Sequence, residues 1–277
     1  VRLGVNVPNF GPGTSPEVLR RWALTVEGLG FDLLMVSDHV AVTADVAEQY
    51  PAPFYEPFTA LSWLAGVTSR ITLGTTVLVL PYRHPLLVAR MAANLAELSG
   101  GRFVLGVGVG WARQEYEALG VPFGERGRLT DAGLRTLRSA WADQADYRSG
   151  SVPVWVGGHS DAALRRSVRL GDAWHGLRLS RQQFEDATRR LTDIAGREQR
   201  PVPALAPRIL LHLTPTDAGP DRLLGEGTPA QVLDDLAWLR DRGAESVVLD
   251  PFVGDPAETA HPEVAWQALA TVRKEFR

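Results

Sequence analysis

Eight short apolar segments recur along the chain, each followed by a stretch of helical spacing, and this alternation limits the fold more than any other feature. The segments are Arg2–Val7, Phe31–Val36, Arg70–Leu80, Arg102–Trp111, Val152–Val156, Gly171–Leu177, Arg208–Leu213 and Ser246–Asp250. Their near-continuous apolar runs are what parallel strands show when helices cover both faces. Between them, helices read from Pro16, behind a Ser15 N-cap, and from Pro57, and over Asp161–Leu170 and Thr228–Arg242 among others. Gly30 and the Gly100–Gly101 pair act as stops. The pattern predicts one α/β domain over residues 1–277, a (β/α)8 TIM barrel. An open doubly wound sheet is the alternative, but its nucleotide fingerprint belongs after the first strand, where Pro8 and Asn9 stand.

Composition narrows the function. Hydrophobic residues at 45% and charged residues at 22% supply one large buried core. A formal net charge of −3, with the arginines scattered, leaves no basic footprint for nucleic acid. Without cysteine there is no disulfide, no thiolate metal site and no cysteine nucleophile. The opening VRLGVNVPNF does not read as a secretory signal, and no apolar run approaches the roughly 20 residues of a membrane span. A cytoplasmic protein with no membrane partner is the expectation.

Polar residues at strand ends are the candidate chemistry, because the C-terminal ends of barrel strands carry active sites. The second strand ends in Ser37, Asp38 and His39. An imidazole beside a carboxylate can hydrogen-bond or donate a proton near neutral pH, and a capping role at the strand end is the plainer alternative. No second histidine stands two or four positions away, so a metal role is not expected. The long connection Ala41–Glu56, with Pro51, Pro53, Phe54 and Tyr55, reads as a flap over the site. Gly106, Gly108 and Gly110 leave one face of the fourth strand without side chains, either for a flat ligand or for close packing in a barrel layer. Gly157, Gly158, His159 and Ser160 precede a helix; alone they read as a turn, though such backbone can hold a phosphate. Asn9, Tyr82, Arg83 and His84 are candidates for the rim, while His175, His212 and His261 read as structural.

Several stretches are similar to one known family when taken in order: PNFGPG from Pro8, SDHV from Ser37, YPAPFYEPFTALSWLAG from Tyr50, ITLGTTVLVLPYRHP from Ile71, LSGGRFVLGVGVGW from Leu98, VWVGGHS from Val154 and RLGDAWH from Arg169. Over nearly its whole length the chain resembles the bacterial luciferase-like superfamily, and most closely its oxidoreductases that use the deazaflavin coenzyme F420. The resemblance implies a redox ring at the C-terminal end of the barrel, FMN being the alternative cofactor. It implies a non-prolyl cis peptide at Thr76–Val77 behind the ring, catalysis by His39 and Asp38, and cofactor contacts from both, from Gly106, Gly108 and Gly110, and from Val156 through Ser160. Asn9 and Trp111 would meet substrate. Trp111 stands where the sugar-phosphate dehydrogenase branch has a catalytic glutamate, which points to an apolar or aromatic organic substrate instead. A homodimer is also implied. The expected activity is hydride transfer between F420 and a small organic molecule; an FMN-dependent, oxygen-using monooxygenase and a non-catalytic flavin-binding protein are the alternatives. Between Trp141 and Val152 the chain is shorter than the family's usual connection, so the substrate class does not transfer directly.

Overall fold

The computed structural model describes residues 1–142 and 152–276. The shortened connection after Trp141 therefore lies outside the described residues. The strands are β1 (Arg2–Asn6), β2 (Leu33–Val36), β3 (Thr72–Thr75) with its continuation β4 (Leu78–Val79), β5 (Phe103–Gly108), β6 (Val154–Gly157), β7 (Ala173–His175), β8 (Ala204–Leu205), β9 (Arg208–Leu210), β10 (His212–Leu213), β11 (Glu226–Gly227) and β12 (Ser246–Asp250). The main sheet runs β8-β7-β6-β5-β3-β2-β1-β12-β9, all parallel. Its two ends are successive pieces of one stretch. β8 pairs with β7 through Ala173↔Ala204, and β9 pairs with β12 through Val248↔Arg208, so the sheet returns on itself as a barrel. Bridges Leu177↔Arg208 and Leu205↔Ala244 complete the seam.

Local rules place the helices α1 (Pro16–Gly28), α2 (Ala44–Ala47), α3 (Pro57–Val67), α4 (Pro85–Leu98), α5 (Arg113–Ala118), α6 (Arg126–Ala142), α7 (Asp161–Leu170), α8 (Arg181–Arg197), α9 (Pro229–Asp241) and α10 (Pro262–Glu275). Ser15 caps α1 by accepting from the Val18 N–H at 3.2 Å, with Pro16 at the first helical position. Ser180 with Gln183, and Thr228 with Gln231, close reciprocal capping boxes on α8 and α9. Two of the three apolar clusters among the described residues divide between the faces of the strands, because strand side chains alternate in direction. Leu3, Val5, Leu34, Val36, Leu73 and Leu105 face the helical layer, whereas Leu33, Met35, Val104, Trp155 and Val248 fill the barrel.

Two features depart from the sequence reading. The third strand is interrupted between β3 and β4, where Thr76–Val77 is a cis peptide, as the family likeness implies. The seventh strand is likewise two pieces, and β10 and β11 form a separate short pair. The alternating glycines are explained by the interruption. A Cβ on Gly106 would lie 2.0 Å from the Thr75 carbonyl oxygen, one on Gly108 2.5 Å from Val77 Cγ2, and one on Gly157 3.0 Å from Val77 Cγ1. The bare lane on β5 is thus occupied by the Thr75 carbonyl and the Val77 side chain, the close-packing alternative.

Candidate active site at the strand ends

His39 follows β2 at the C-terminal end of the barrel and is buried, with 7% of its surface exposed. Its partner is not Asp38. The Nδ1 atom lies 2.7 Å from Oε2 of Glu115, a fully buried residue on α5. Oε1 of the same carboxylate accepts from the backbone N–H groups of Val40 and Ala41 at 2.5 and 2.9 Å. Burial works to raise the Glu115 pKa, but the His39 contact and these two N–H groups outweigh it, and the group is held below its ordinary value. An ionised Glu115 accepts only, so His39 donates through Nδ1 and its Nε2 is left for chemistry. Around the imidazole stand Tyr50, stacked at 5.4 Å, Phe54, edge-on at 5.4 Å, and Trp111, edge-on at 5.7 Å. Trp111 is 47% exposed, at the outer edge of this cage.

Asp38, expected beside the reacting centre, is instead sealed away from it. Its two oxygens take a bidentate pair from Arg83, both contacts at 2.8 Å, and Oδ2 also accepts from the Val79 N–H at 2.8 Å. Burial pushes its pKa up while the guanidinium pulls against that. The pair ties the end of β2 to β4, and Arg83 reaches on to Glu56 at 2.9 Å. Asn9, expected at the substrate, is fully buried: Nδ2 donates to the carbonyls of Ser37 and Tyr55, and Oδ1 accepts from the Ser37 N–H. It staples the ends of β1, β2 and the flap, and no donor remains for a ligand. His84 accepts from the Leu86 N–H at the start of α4, and Tyr82 is buried against Tyr116. His84 is exposed there, Arg83 half-buried and Tyr82 buried.

The flap is ordered over the site. Gly11 N–H reaches the carbonyls of Pro51 and Pro53 at 3.0 Å, Tyr55 N–H that of Asn9 at 2.9 Å, and Gln114 N–H the Asp45 carboxylate at 3.2 Å. Beneath it, a buried polar network spans the barrel interior. Arg208 donates to Asp250 through Nε at 3.0 Å and Nη2 at 2.6 Å, and through Nη1 to the Thr76 carbonyl at 2.6 Å. Asn6 Nδ2 donates to Asp250 at 3.0 Å, leaving Asn6 Oδ1 buried without a partner. Val77, Val109, Gly110, Gly157 and Gly158 keep partial exposure, whereas Val156 is buried and presents only strand backbone. The turn before α7 is open: His159 and Ser160 are exposed, Gly158 has φ +101°, and Ser160 caps the Ala163 N–H at 3.3 Å. Among the described residues no group of three or more acidic or histidine side chains is placed to hold a metal ion, and no helix is long and apolar enough to cross a membrane.

The profile of the luciferase-like monooxygenase family matches residues 2–218. The chain belongs to this family. A luciferase-like fold extends over the whole of it: an F420-dependent secondary alcohol dehydrogenase solved with an F420–acetone adduct superposes with a TM-score of 0.75 over 98% of both chains at 15% identity. The FMN-bound oxygenating constituent of 3,6-diketocamphane monooxygenase, from a plasmid of Pseudomonas putida, gives 0.76 over 99% and 97% at 16% identity. Sequence relatives include an uncharacterized protein of Mycobacterium tuberculosis, 33% identical over 56% of this chain and 63% of its own. Pyrimidine monooxygenase RutA of Variovorax paradoxus is 31% identical over 61% of this chain and 50% of its own. A phthiodiolone/phenolphthiodiolone dimycocerosates ketoreductase of Mycobacterium tuberculosis is 30% identical over 51% of this chain and 42% of its own. The matched stretches span about half of these relatives. The family is that of the luciferase-like monooxygenases, and an F420-dependent protein and an FMN-bound one are among those that share the fold.

In this luciferase-like barrel His175 is structural, as its sequence context suggests. Its Nδ1 meets the Ala206 carbonyl at 2.5 Å and its Nε2 the Thr76 hydroxyl at 2.8 Å, which fixes a neutral ring that donates from Nδ1. Burial lowers its pKa to about 4, with Arg208 adding to the effect. The unfolded chain therefore binds a proton below about pH 6.5 that the native state refuses until about pH 4. Native stability should fall by about 3 kcal/mol between those pH values from this group. Urea midpoints measured across that range should drop more steeply for the wild type than for His175→Gln; parallel curves would show that the ring protonates freely in place.

Proposed function

We infer that the protein is an F420-dependent oxidoreductase that interconverts an organic carbonyl compound and its alcohol. The observation that carries this reading is the Glu115-oriented imidazole of His39 at the barrel mouth. Bound against the half-exposed Val77 side chain, the deazaflavin would supply the two-electron hydride chemistry that no side chain can. The residues present fit such a ring: an apolar wall at Val77, an open turn at Gly157–Ser160 before α7 for the phosphate, and an unpartnered Asn6 Oδ1 among the buried polar groups. Gly106, Gly108 and Gly110 act behind that wall by seating Val77 and its neighbours. Reducing a carbonyl leaves charge on its oxygen, and His39 Nε2 donates the proton that neutralises it; in the reverse direction the same atom accepts it. Glu115 stabilises the charged imidazole from which that proton leaves in reduction and to which it returns in oxidation. The cage of Tyr50, Phe54 and Trp111 keeps water from the reacting carbon and favours an apolar partner.

A ketoreductase among the sequence relatives and an F420 alcohol dehydrogenase among the similar structures support this reading. RutA and the FMN-bound neighbour support a second one, an oxygen-using FMN monooxygenase in the same pocket. The two separate in one experiment. Protein given reduced F420 and a panel of aliphatic and aromatic ketones should oxidise the cofactor without consuming oxygen. Oxygen uptake with reduced FMN, and no reaction with reduced F420, would overturn the proposal.

A further inference from the structure

Outside the site already described, a cavity of about 410 Å³ opens at the same end of the barrel, beyond β1, β9 and β12. Its walls are mainly apolar: Trp22 of α1, Ala265 and Ala268 of α10, and Leu211, Leu213 and Phe252 from the strand-end loops. The volume lies within the range of small-ligand pockets, and a mostly apolar wall with a few polar groups is their usual lining. The polar groups here are Thr14, Thr259, Asp255, Glu258 and two histidines, each histidine near a carboxylate: His212 at 3.5 Å from Glu226 and His261 at 3.4 Å from Glu263. Among the described residues that line it there is no lysine or arginine. An anionic head group would face two carboxylates with no fixed positive charge, so a neutral chain suits the cavity.

Position links this cavity to His39. Phe252 is its inner wall and packs edge-on against Phe10 at 4.9 Å and tilted against Tyr50 at 5.8 Å, and Tyr50 is the ring stacked on His39. One half-buried tyrosine therefore stands between the cavity wall and the imidazole. Around the barrel, β1 lies opposite β6, so the cavity faces the Gly157–Ser160 turn across the mouth. A phosphate arm on one side leaves the other free for the arm of a substrate.

We propose that this cavity takes the hydrocarbon arm of a neutral ketone or alcohol whose reacting carbon lies at His39. The proposal deepens the function inferred above and rests on it for the reacting end, but the binding of the arm stands by itself. Each methylene moved from water into such a cavity should tighten binding about fourfold until the cavity is filled.

The test is calorimetric titration of the cofactor-free full chain with 2-pentanone, 2-heptanone, 2-nonanone and 2-undecanone. Successive members differ by two methylenes, so affinity should climb about 15-fold at each step until the cavity is filled. Ala268→Phe, which fills the cavity, and Val264→Trp, which narrows its rim at a residue 65% exposed and so without a folding penalty, should each weaken 2-undecanone at least tenfold and leave 2-pentanone unchanged. A dissociation constant independent of chain length, or 2-undecanone binding unchanged in both variants with native circular dichroism, would overturn the proposal. Ketones that bind by this rule and are never reduced with either cofactor would uphold the cavity and remove the redox reading. Ketones reduced at equal KM whatever their length would do the opposite.

Discussion

Replacing His39 by asparagine should lower kcat for ketone reduction by about 10² to 10⁴ and leave cofactor affinity within a few-fold. That is the usual contribution of one positioned proton donor. The size follows from the geometry. Nε2 is the atom of the imidazole not committed to Glu115, and asparagine cannot carry a titrating proton in its place. Glu115→Gln should give most of the same loss by a different route. A glutamine amide facing Nδ1 donates where the carboxylate accepted, so the tautomer reverses, and no negative charge remains to stabilise the imidazolium. Cofactor affinity that stays within a few-fold in both variants, with kcat lowered, separates the loss of a positioned donor from a general structural defect. Steady-state kinetics that showed either variant unchanged in kcat would remove the imidazole from the chemistry.

Arg83→Leu should destabilise the protein by about 3 to 5 kcal/mol, the cost of stripping one partner from a buried ion pair. The Asp38 side chain is fully buried and that of Arg83 only 10% exposed, so little water can take over. After the substitution, Asp38 retains the single Val79 N–H in place of three donors. Arg83→Lys should also cost stability, because an ammonium cannot reproduce two parallel contacts. The double variant Arg83→Leu with Asp38→Leu should recover much of the loss, since no uncompensated charge is left. Urea unfolding checks all three; an Arg83→Leu midpoint equal to wild type would mean that Asp38 is neutral in the native state and that the pair does not brace β2 against β4.

The barrel could be read from the chain because its rules are local. Pro at the first helical position, Ser and Thr caps, and apolar runs of strand length placed α1, α3, α7 and β12 to within a residue or so. The seventh strand could not be read as two pieces, since β8 is only two residues long and its pairing depends on partners 31 and 39 positions away. Thr216–Gly227, a mix of glycine and acidic residues, carries no periodic pattern either. It is held by Asp235 of α9, which accepts from Arg222 and from the Gly225 N–H at 2.9 Å, contacts that no local pattern encodes.

At the site, His39 stood out because an apolar strand ends in three polar residues. Its partner did not. Asp38 is adjacent in sequence, but neighbours on an extended backbone point to opposite sides, so it turns to Arg83 while His39 meets a carboxylate 76 positions on. A signal for Glu115 was present: an acid on the same face of a short helix as Ala112 and Leu119, beside the buried Tyr116. Arg208 and Asp250 were similarly hidden as the charged ends of apolar strands. Only barrel closure brings them together.

The central claim is that a flat redox ring seats across these strand ends, with its phosphate at the Gly157–Ser160 turn. Equilibrium titration of the purified protein with F420 and, separately, with FMN tests it most directly, read by quenching of cofactor fluorescence. Saturable one-to-one binding of F420 is expected, weakened at least tenfold in a Gly158→Val variant, whose side chain is strained at φ +101° in the turn. Saturable FMN binding with none of F420, or no binding of either, would contradict it.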